Sequence, residues 1–239
     1  MSIDPTPLDG QRVLVLGTGD VGADVAAIVA EAGGTPVVAG RDAARAARTA
    51  APLRAPSVTM DLEDEDSVVA GLTEAGPLDH LVSTAGAAAN GPVTDLEIGA
   101  IDRAIRAKLS GAVLLAKHAA PRLPDHASLT FFSGFVAWRP HAGQAVMAMT
   151  NGGLAHLAPA LAVELAPRRV NVISPGVVDS GLWDGLGADR DEFFERTAAT
   201  TPARRVGRPR DVAEAVLLAM TNTFLTGSVL HVDGGARWT

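Results

Sequence analysis

Five residues, Arg12–Leu16, apolar after the first, run straight into Gly17-Thr18-Gly19-Asp20-Val21-Gly22 and then into an alanine-rich stretch, Val21–Ala32, closed by Gly33-Gly34. Glycines at the first, third and sixth positions allow a tight turn, a close backbone approach and a helix packed hard against the strand. The helix N-terminus left at the turn is a seat for phosphate. Alone, such a hexapeptide is a weak signal. Between an apolar strand and a helix it predicts a βαβ unit that cradles a pyrophosphate, and so a parallel sheet.

The rest of the chain keeps the same alternation. Further strands are expected at Pro36–Ala39, Ser57–Met60, His80–Ser83, Leu129–Ser133, Val170–Ile173 and Ser228–Val232. Helices are expected at Asp42–Ala50, Glu63–Ala75, Ile98–Ala120 (stopped by Pro121), Gly143–Leu165 and Asp211–Met220. Strands this apolar, separated by helices, are covered on both faces. The pattern predicts one Rossmann-type, doubly wound α/β domain over residues 1–239, with a mostly parallel sheet of about seven strands. Gly176–Thr201 is the least regular stretch, and in a fold that binds ligands at the carboxyl ends of its strands it is a candidate lid.

Gly143–Leu165 is small or apolar almost throughout, apart from Gln144, Asn151, His156 and Glu164. A helix apolar all round is buried on more than one side, which predicts a homo-oligomer, dimer or tetramer. A net charge of -7 argues against a nucleic-acid partner, and Arg41, Arg45 and Arg48 read as a solvated helix face. With no cysteine, disulfides and thiolate chemistry are excluded. No basic-then-apolar leader and no long apolar run stand out, so a soluble, cytoplasmic protein without membrane contact is expected. His118, His126, His156 and His231 show no ligand spacing with acids, and no metal is expected.

The end of the second strand discriminates between the two nicotinamide dinucleotides, because an acid there holds the ribose and repels a 2′-phosphate. Here Gly40-Arg41-Asp42 occupies the place, and Arg41 favours NADP(H) over NAD(H), unless it is merely paired with Asp42.

From here the chain resembles the short-chain dehydrogenase/reductase family over nearly its full length. Asp61-Leu62 resembles the family's adenine-side acidic pair. Leu78-Asp79-His80-Leu81-Val82-Ser83-Thr84-Ala85-Gly86 resembles "LDxLVNNAG". Arg169-Val170-Asn171-Val172-Ile173-Ser174-Pro175-Gly176 resembles "RVNxxxPG", and Leu225-Thr226-Gly227 with Val232-Asp233-Gly234-Gly235 resembles "TG…VDGG". The resemblance implies a cofactor site drawn from Gly17, Gly19, Val21, Gly22, Arg41, Asp61, Leu62, Thr84, Ala85, Gly86, Pro175, Gly176, Val178 and Ser180. The glycine loop is about one residue shorter than the family's GxxxGxG.

The positions implied for chemistry differ throughout. Gly143–Leu154 runs parallel to "GxxxYxxxKxxL", which sets Met147 at the Tyr and Asn151 at the Lys. Gly134 stands at the Ser thirteen residues earlier, and Lys108 at the Asn of "NLxG". The chain has no tyrosine at all. A carbonyl becoming an alkoxide needs an acid poised near neutral pH, an effect of roughly 10²–10⁴-fold, and Met147 has no proton to give. Hydride transfer belongs to the cofactor, so substrates needing no proton in that step, an iminium or an activated alkene, remain open.

Lys108 is the candidate cation for developing negative charge, and His141 a candidate proton donor. Ser133 should point away from its neighbour's face, Met147 and Met149 should line the pocket or core, and Trp138 and Trp183 should wall the substrate side. Three functions stay open: an oxidoreductase with a non-standard site, a catalytically silent ligand-binding sensor or assembly partner, and a non-redox dehydratase or isomerase.

Overall fold

The computed structural model describes residues 6–239. Seven strands form one sheet: β1 (Arg12–Leu16), β2 (Thr35–Gly40), β3 (Ser57–Thr59), β4 (His80–Ser83), β5 (Ser128–Phe132), β6 (Arg169–Pro175) and β7 (Val229–Val232). Their order is β3-β2-β1-β4-β5-β6-β7, and every neighbouring pair is parallel. The helices are α1 (Asp20–Glu31), α2 (Ala43–Ala50), α3 (Glu65–Ala75), α4 (Ile98–Ile105), α5 (Gly111–Ala119), α6 (Ala145–Glu164), α7 (Arg190–Thr200) and α8 (Pro209–Thr221).

Successive strand residues feed opposite layers, as a pleated sheet requires. Leu14, Leu81, Leu129, Phe131 and Val172 pack beneath α3, α5 and α6. Val13, Val15, Val38, Val82 and Ile173 pack beneath α1 and α8 on the other face. The chain winds outward from β1 to β3 and then returns to place β4 on the far side of β1. The crevice outside the carboxyl ends of β1 and β4 is where such a sheet takes its ligand.

Three expectations need correction. The helix expected over 98–120 is two helices joined by a π-type turn at Arg106–Ser110, which carries Lys108. Widening a helix by one residue per turn is a local strain that is usually tied to a site. The stretch 176–201 is more regular than its glycines and aspartates suggest. A 3-10 segment at Gly181–Asp189 runs into α7, whose arginine-and-acid composition masks its helical period. By length and composition α6 could cross a membrane, yet Val146, Thr150, Leu154, Ala158 and Leu161 are inside the protein.

A polar tie pins the sheet at the end remote from the crevice. His80 is buried, with Ser128 N–H donating to its Nδ1 at 3.1 Å and its Nε2 bonded to Gln11 Oε1 at 2.7 Å. That set fits a neutral ring protonated at Nε2. Burial, with help from Arg169, pulls its pKa from 6.5 down to about 4. Between those values the unfolded chain takes up a proton that the folded chain refuses, so stability is full above pH 6.5 and falls as pH drops toward 4. The loss across this window is about 3 kcal/mol. Urea denaturation at pH 7.5, 5.5 and 4.5 is expected to show a markedly shallower dependence for His80→Gln than for the parent. Parallel curves would refute the assignment.

Candidate functional site

Two hollows flank the glycine loop at the crevice. The larger, about 910 Å3, is lined by Gly17–Gly22, Thr84–Gly86, Phe132, Pro175, Gly176, Val178 and the chain from Ser180 to Asp184. The smaller, about 190 Å3, is lined by Arg41, Met60–Glu63 and Gly86 among others. Every residue assigned to the cofactor from the sequence lies on one of these two surfaces.

Packing explains the loop's glycines. A Cβ on Gly22 would stand 2.0 Å from the Gly17 carbonyl oxygen, and one on Gly17 would stand 2.0 Å from Thr84 Oγ1. Gly17 also has φ +133, a value side chains disfavour. Gly19 is different, since a Cβ there would meet nothing within 4 Å. Its bare backbone faces open space at the N-terminus of α1, a cradle suited to a pyrophosphate. Gly176 lines the larger hollow, but the close neighbour that forbids its Cβ is the backbone of Asp233, at 2.9 Å. Its glycine is therefore required by the turn after β7.

At the ribose end, Arg41 pairs with Glu63 at 3.8 Å and not with Asp42, which instead caps α2 by accepting from Arg45 N–H at 2.9 Å. Arg45 is exposed, as expected of a solvated helix face, and it also lines the larger hollow. Asp61 Oδ1 accepts from Glu63 N–H at 3.0 Å, which shapes the floor of the smaller hollow.

The segment over the mouth is latched. Asp20, the first residue of α1 and not among the expected site residues, accepts from Gly181 N–H at 2.6 Å. Arg190 bonds Asp179 at 2.6 Å, and Trp183 donates from Nε1 to the Val178 carbonyl at 3.0 Å while its ring packs on Phe193. Trp183 and Arg190 both line the larger hollow. Trp138 does not; its ring stands edge-on to His231, 4.4 Å between centroids.

None of the positions expected to carry chemistry lines either hollow, but Lys108, Gly134 and Asn151 come together behind Gly86. Lys108 is buried and donates from Nζ to Asn151 Oδ1. Its stem passes behind Gly86, whose Cβ would lie 4.0 Å from Lys108 Cδ. A Cβ on Gly134 would lie 3.1 Å from Asn151 Nδ2. Ser133 corrects its expectation: Oγ turns toward α6 and donates to the Asn151 carbonyl at 2.9 Å. Burial lowers the Lys108 pKa from 10.5 to about 8.

Met147 is half-buried, one turn before Asn151, while Met149 is exposed on the outer side of α6 and lines no core. His141 stands apart from this group: it is exposed and rests edge-on against Phe135. His118 and His126 do meet acids, Glu65 at 2.6 Å and Asp79 at 3.1 Å, but no three potential ligands cluster among the described residues.

A parallel sheet, a glycine loop opening a helix, and a crevice at the reversal of strand order define a dinucleotide-cleft protein of the α/β class. A family model described as enoyl-(acyl carrier protein) reductase matches residues 18–237. A cis-4-hydroxycyclohexanecarboxylate dehydrogenase of Sinomonas cyclohexanicum is 35% identical over 231 residues, covering 90% of this chain and 91% of that one. The short-chain dehydrogenase/reductase malC of Malbranchea aurantiaca is 31% identical over 254 residues, 95% of each chain. The solved structure of the MalC reductase/Diels-Alderase from that organism superposes with a TM-score of 0.93 at 29% identity, covering 99% of this chain and 100% of that one. A small-chain dehydrogenase solved in complex with NADPH superposes at 0.86 with 36% identity, covering 97% and 100%. The chain belongs to the short-chain dehydrogenase/reductase family, as an oxidoreductase of that type.

Proposed function

We propose that this protein is an NADP(H)-dependent reductase whose substrate needs no tyrosine acid in the hydride step, an imine or an activated alkene. The carrying observation is the contrast between the two halves of the site. The residues assigned to the cofactor line two adjoining hollows, while Met147 occupies the place of the acid in a chain without tyrosine. Gly19 and the N-terminus of α1 would take the pyrophosphate, Asp61 and Leu62 the adenine side, and Arg41 with Arg45 the 2′-phosphate. Pro175, Gly176, Val178 and Ser180 would run along the nicotinamide half. When bound, the cofactor would supply the hydride.

Among the candidates for stabilising charge we assign Lys108 over His141, because Lys108 is buried behind Gly86, a residue that lines both hollows, whereas His141 is exposed and rests against Phe135. A family model described as an enoyl reductase and a relative described as a reductase/Diels-Alderase both support chemistry beyond ketone reduction. The outer residues Met149, Pro159, Ala160 and Val163 of α6 fit burial against a second copy, so a homo-oligomer working in the cytoplasm is part of the proposal.

Fluorescence titration is expected to show NADPH binding about tenfold tighter than NADH, from one added arginine–phosphate contact. Single-turnover oxidation of bound NADPH should then occur with an enone or imine panel and not with simple ketones. Failure of both dinucleotides to bind at millimolar concentration would end the proposal. Tight binding without turnover on any panel would favour the sensor reading.

A further inference from the structure

Two of the four altered positions are an exchange. Where the family pattern has Asn in "NLxG" and Lys four residues after Tyr, this chain has Lys108 and Asn151. The structure brings the two together, with Lys108 Nζ donating to Asn151 Oδ1. The pair is built into its surroundings. The π-type turn at Arg106–Ser110 presents Lys108 inward, and Gly153 lets α6 approach that turn, since a Cβ there would lie 2.8 Å from Leu109 Cδ2. Ser133 fixes the Asn151 backbone, and bare Gly134 leaves room for its amide.

We propose that Lys108 and Asn151 are a reciprocally exchanged ammonium–carboxamide pair that keeps one buried positive charge beside the reacting end of the crevice, supplied from the turn between α4 and α5, and that this charge selects conjugated alkenes over iminium ions. This rests on the reductase reading above and narrows its substrate class. The neighbours given to the pair carry no charge: Ser133 is neutral, and Gly86 and Gly134 add only backbone. Burial is the sole cause of the lowered Lys108 pKa, which leaves the ammonium mostly protonated at pH 7.

A fixed ammonium repels a substrate that is already cationic. It favours one in which hydride addition at the β-carbon drives the C=C electrons toward the carbonyl oxygen as an enolate. One proton then completes the saturated carbonyl product. Lys108 gives that proton and regains it from water, so the net change is conjugated enone plus NADPH plus H⁺ to saturated ketone plus NADP⁺.

The test uses the intact protein and begins with equilibrium binding. Oxidised nicotinamide carries a positive charge and reduced nicotinamide does not. A nearby ammonium therefore weakens NADP⁺ relative to NADPH, and Lys108→Met is expected to tighten NADP⁺ relative to NADPH by about tenfold. The exchange variant Lys108→Asn/Asn151→Lys should return the ratio to within about twofold of the parent, whereas Lys108→Asn alone should not. In turnover, Lys108→Met should lose at least about tenfold on enones and gain on preformed iminium ions. An unchanged NADP⁺/NADPH ratio with binding retained overturns this inference while the reductase reading stands. Absence of binding in the parent protein overturns both.

Discussion

The triple variant Gly134→Ser/Met147→Tyr/Asn151→Lys is expected to remain a poor ketone reductase, while adding Lys108→Asn should raise its rate at least about 100-fold over the parent. Returning Ser, Tyr and Lys to their family positions is the obvious way to recover carbonyl reduction. The structure adds a fourth requirement. With Lys108 in place, Asn151→Lys would force a second ammonium into the space where Lys108 Nζ meets Asn151 Oδ1. Two like charges that share a buried site cannot both stay protonated without a cost of several kcal/mol. The triple variant should therefore show a lowered melting temperature as well as low activity. Gly134→Ser brings a Cβ to 3.1 Å from Asn151 Nδ2, a tight contact that a small shift of the amide relieves. The check is NADPH oxidation with a panel of ketones, alongside thermal melts of parent, triple and quadruple variants. Equal ketone rates in triple and quadruple variants would show that Lys108 is not coupled to position 151.

The sequence by itself could not supply the contact between Lys108 and Asn151. It set Lys108 and Asn151 at matched positions on separate helices, but nothing in a linear text says that two side chains 43 residues apart share a hydrogen bond. The fold was legible because parallel strands buried on both faces leave long apolar runs, as at Val13–Leu16 and Leu129–Phe132, that survive without tertiary knowledge. The glycine loop was legible because backbone geometry dictates glycine directly, at Gly17 and Gly22. Side-chain direction was not. Ser133 was turned the wrong way by simple strand alternation, which ends where β5 ends at Phe132. Arg45 read as part of a solvated helix face and Asp20 only as part of the glycine loop, whereas both line the larger hollow and Asp20 accepts from Gly181. The π-type turn left no mark, since Arg106–Ser110 has a helical composition.

Two glycines of the loop, three residues apart, should respond in opposite ways to one added methyl group. Gly22→Ala would drive a Cβ to 2.0 Å from the Gly17 carbonyl oxygen, a backbone atom that cannot swing aside. Either α1 or the first turn must move, at a cost of about 3 kcal/mol or more, so the melting temperature should fall on the order of 10 °C and NADPH binding should be lost with it. Gly19→Ala meets nothing within 4 Å and sits at φ -83, which alanine adopts freely. Its melting temperature should stay within about 2 °C of the parent. If Gly19 is bare because a pyrophosphate approaches its backbone, that harmless methyl group should nevertheless weaken NADPH by about tenfold or more, the cost of displacing one charge-assisted backbone contact. Melting curves and fluorescence titrations on the two variants separate the explanations. A stable Gly19→Ala protein that binds NADPH as the parent does would place the pyrophosphate elsewhere, and the N-terminus of α1 would lose its assigned role. A stable Gly19→Ala protein with weakened binding ties the open space above that backbone to the dinucleotide, independently of any turnover.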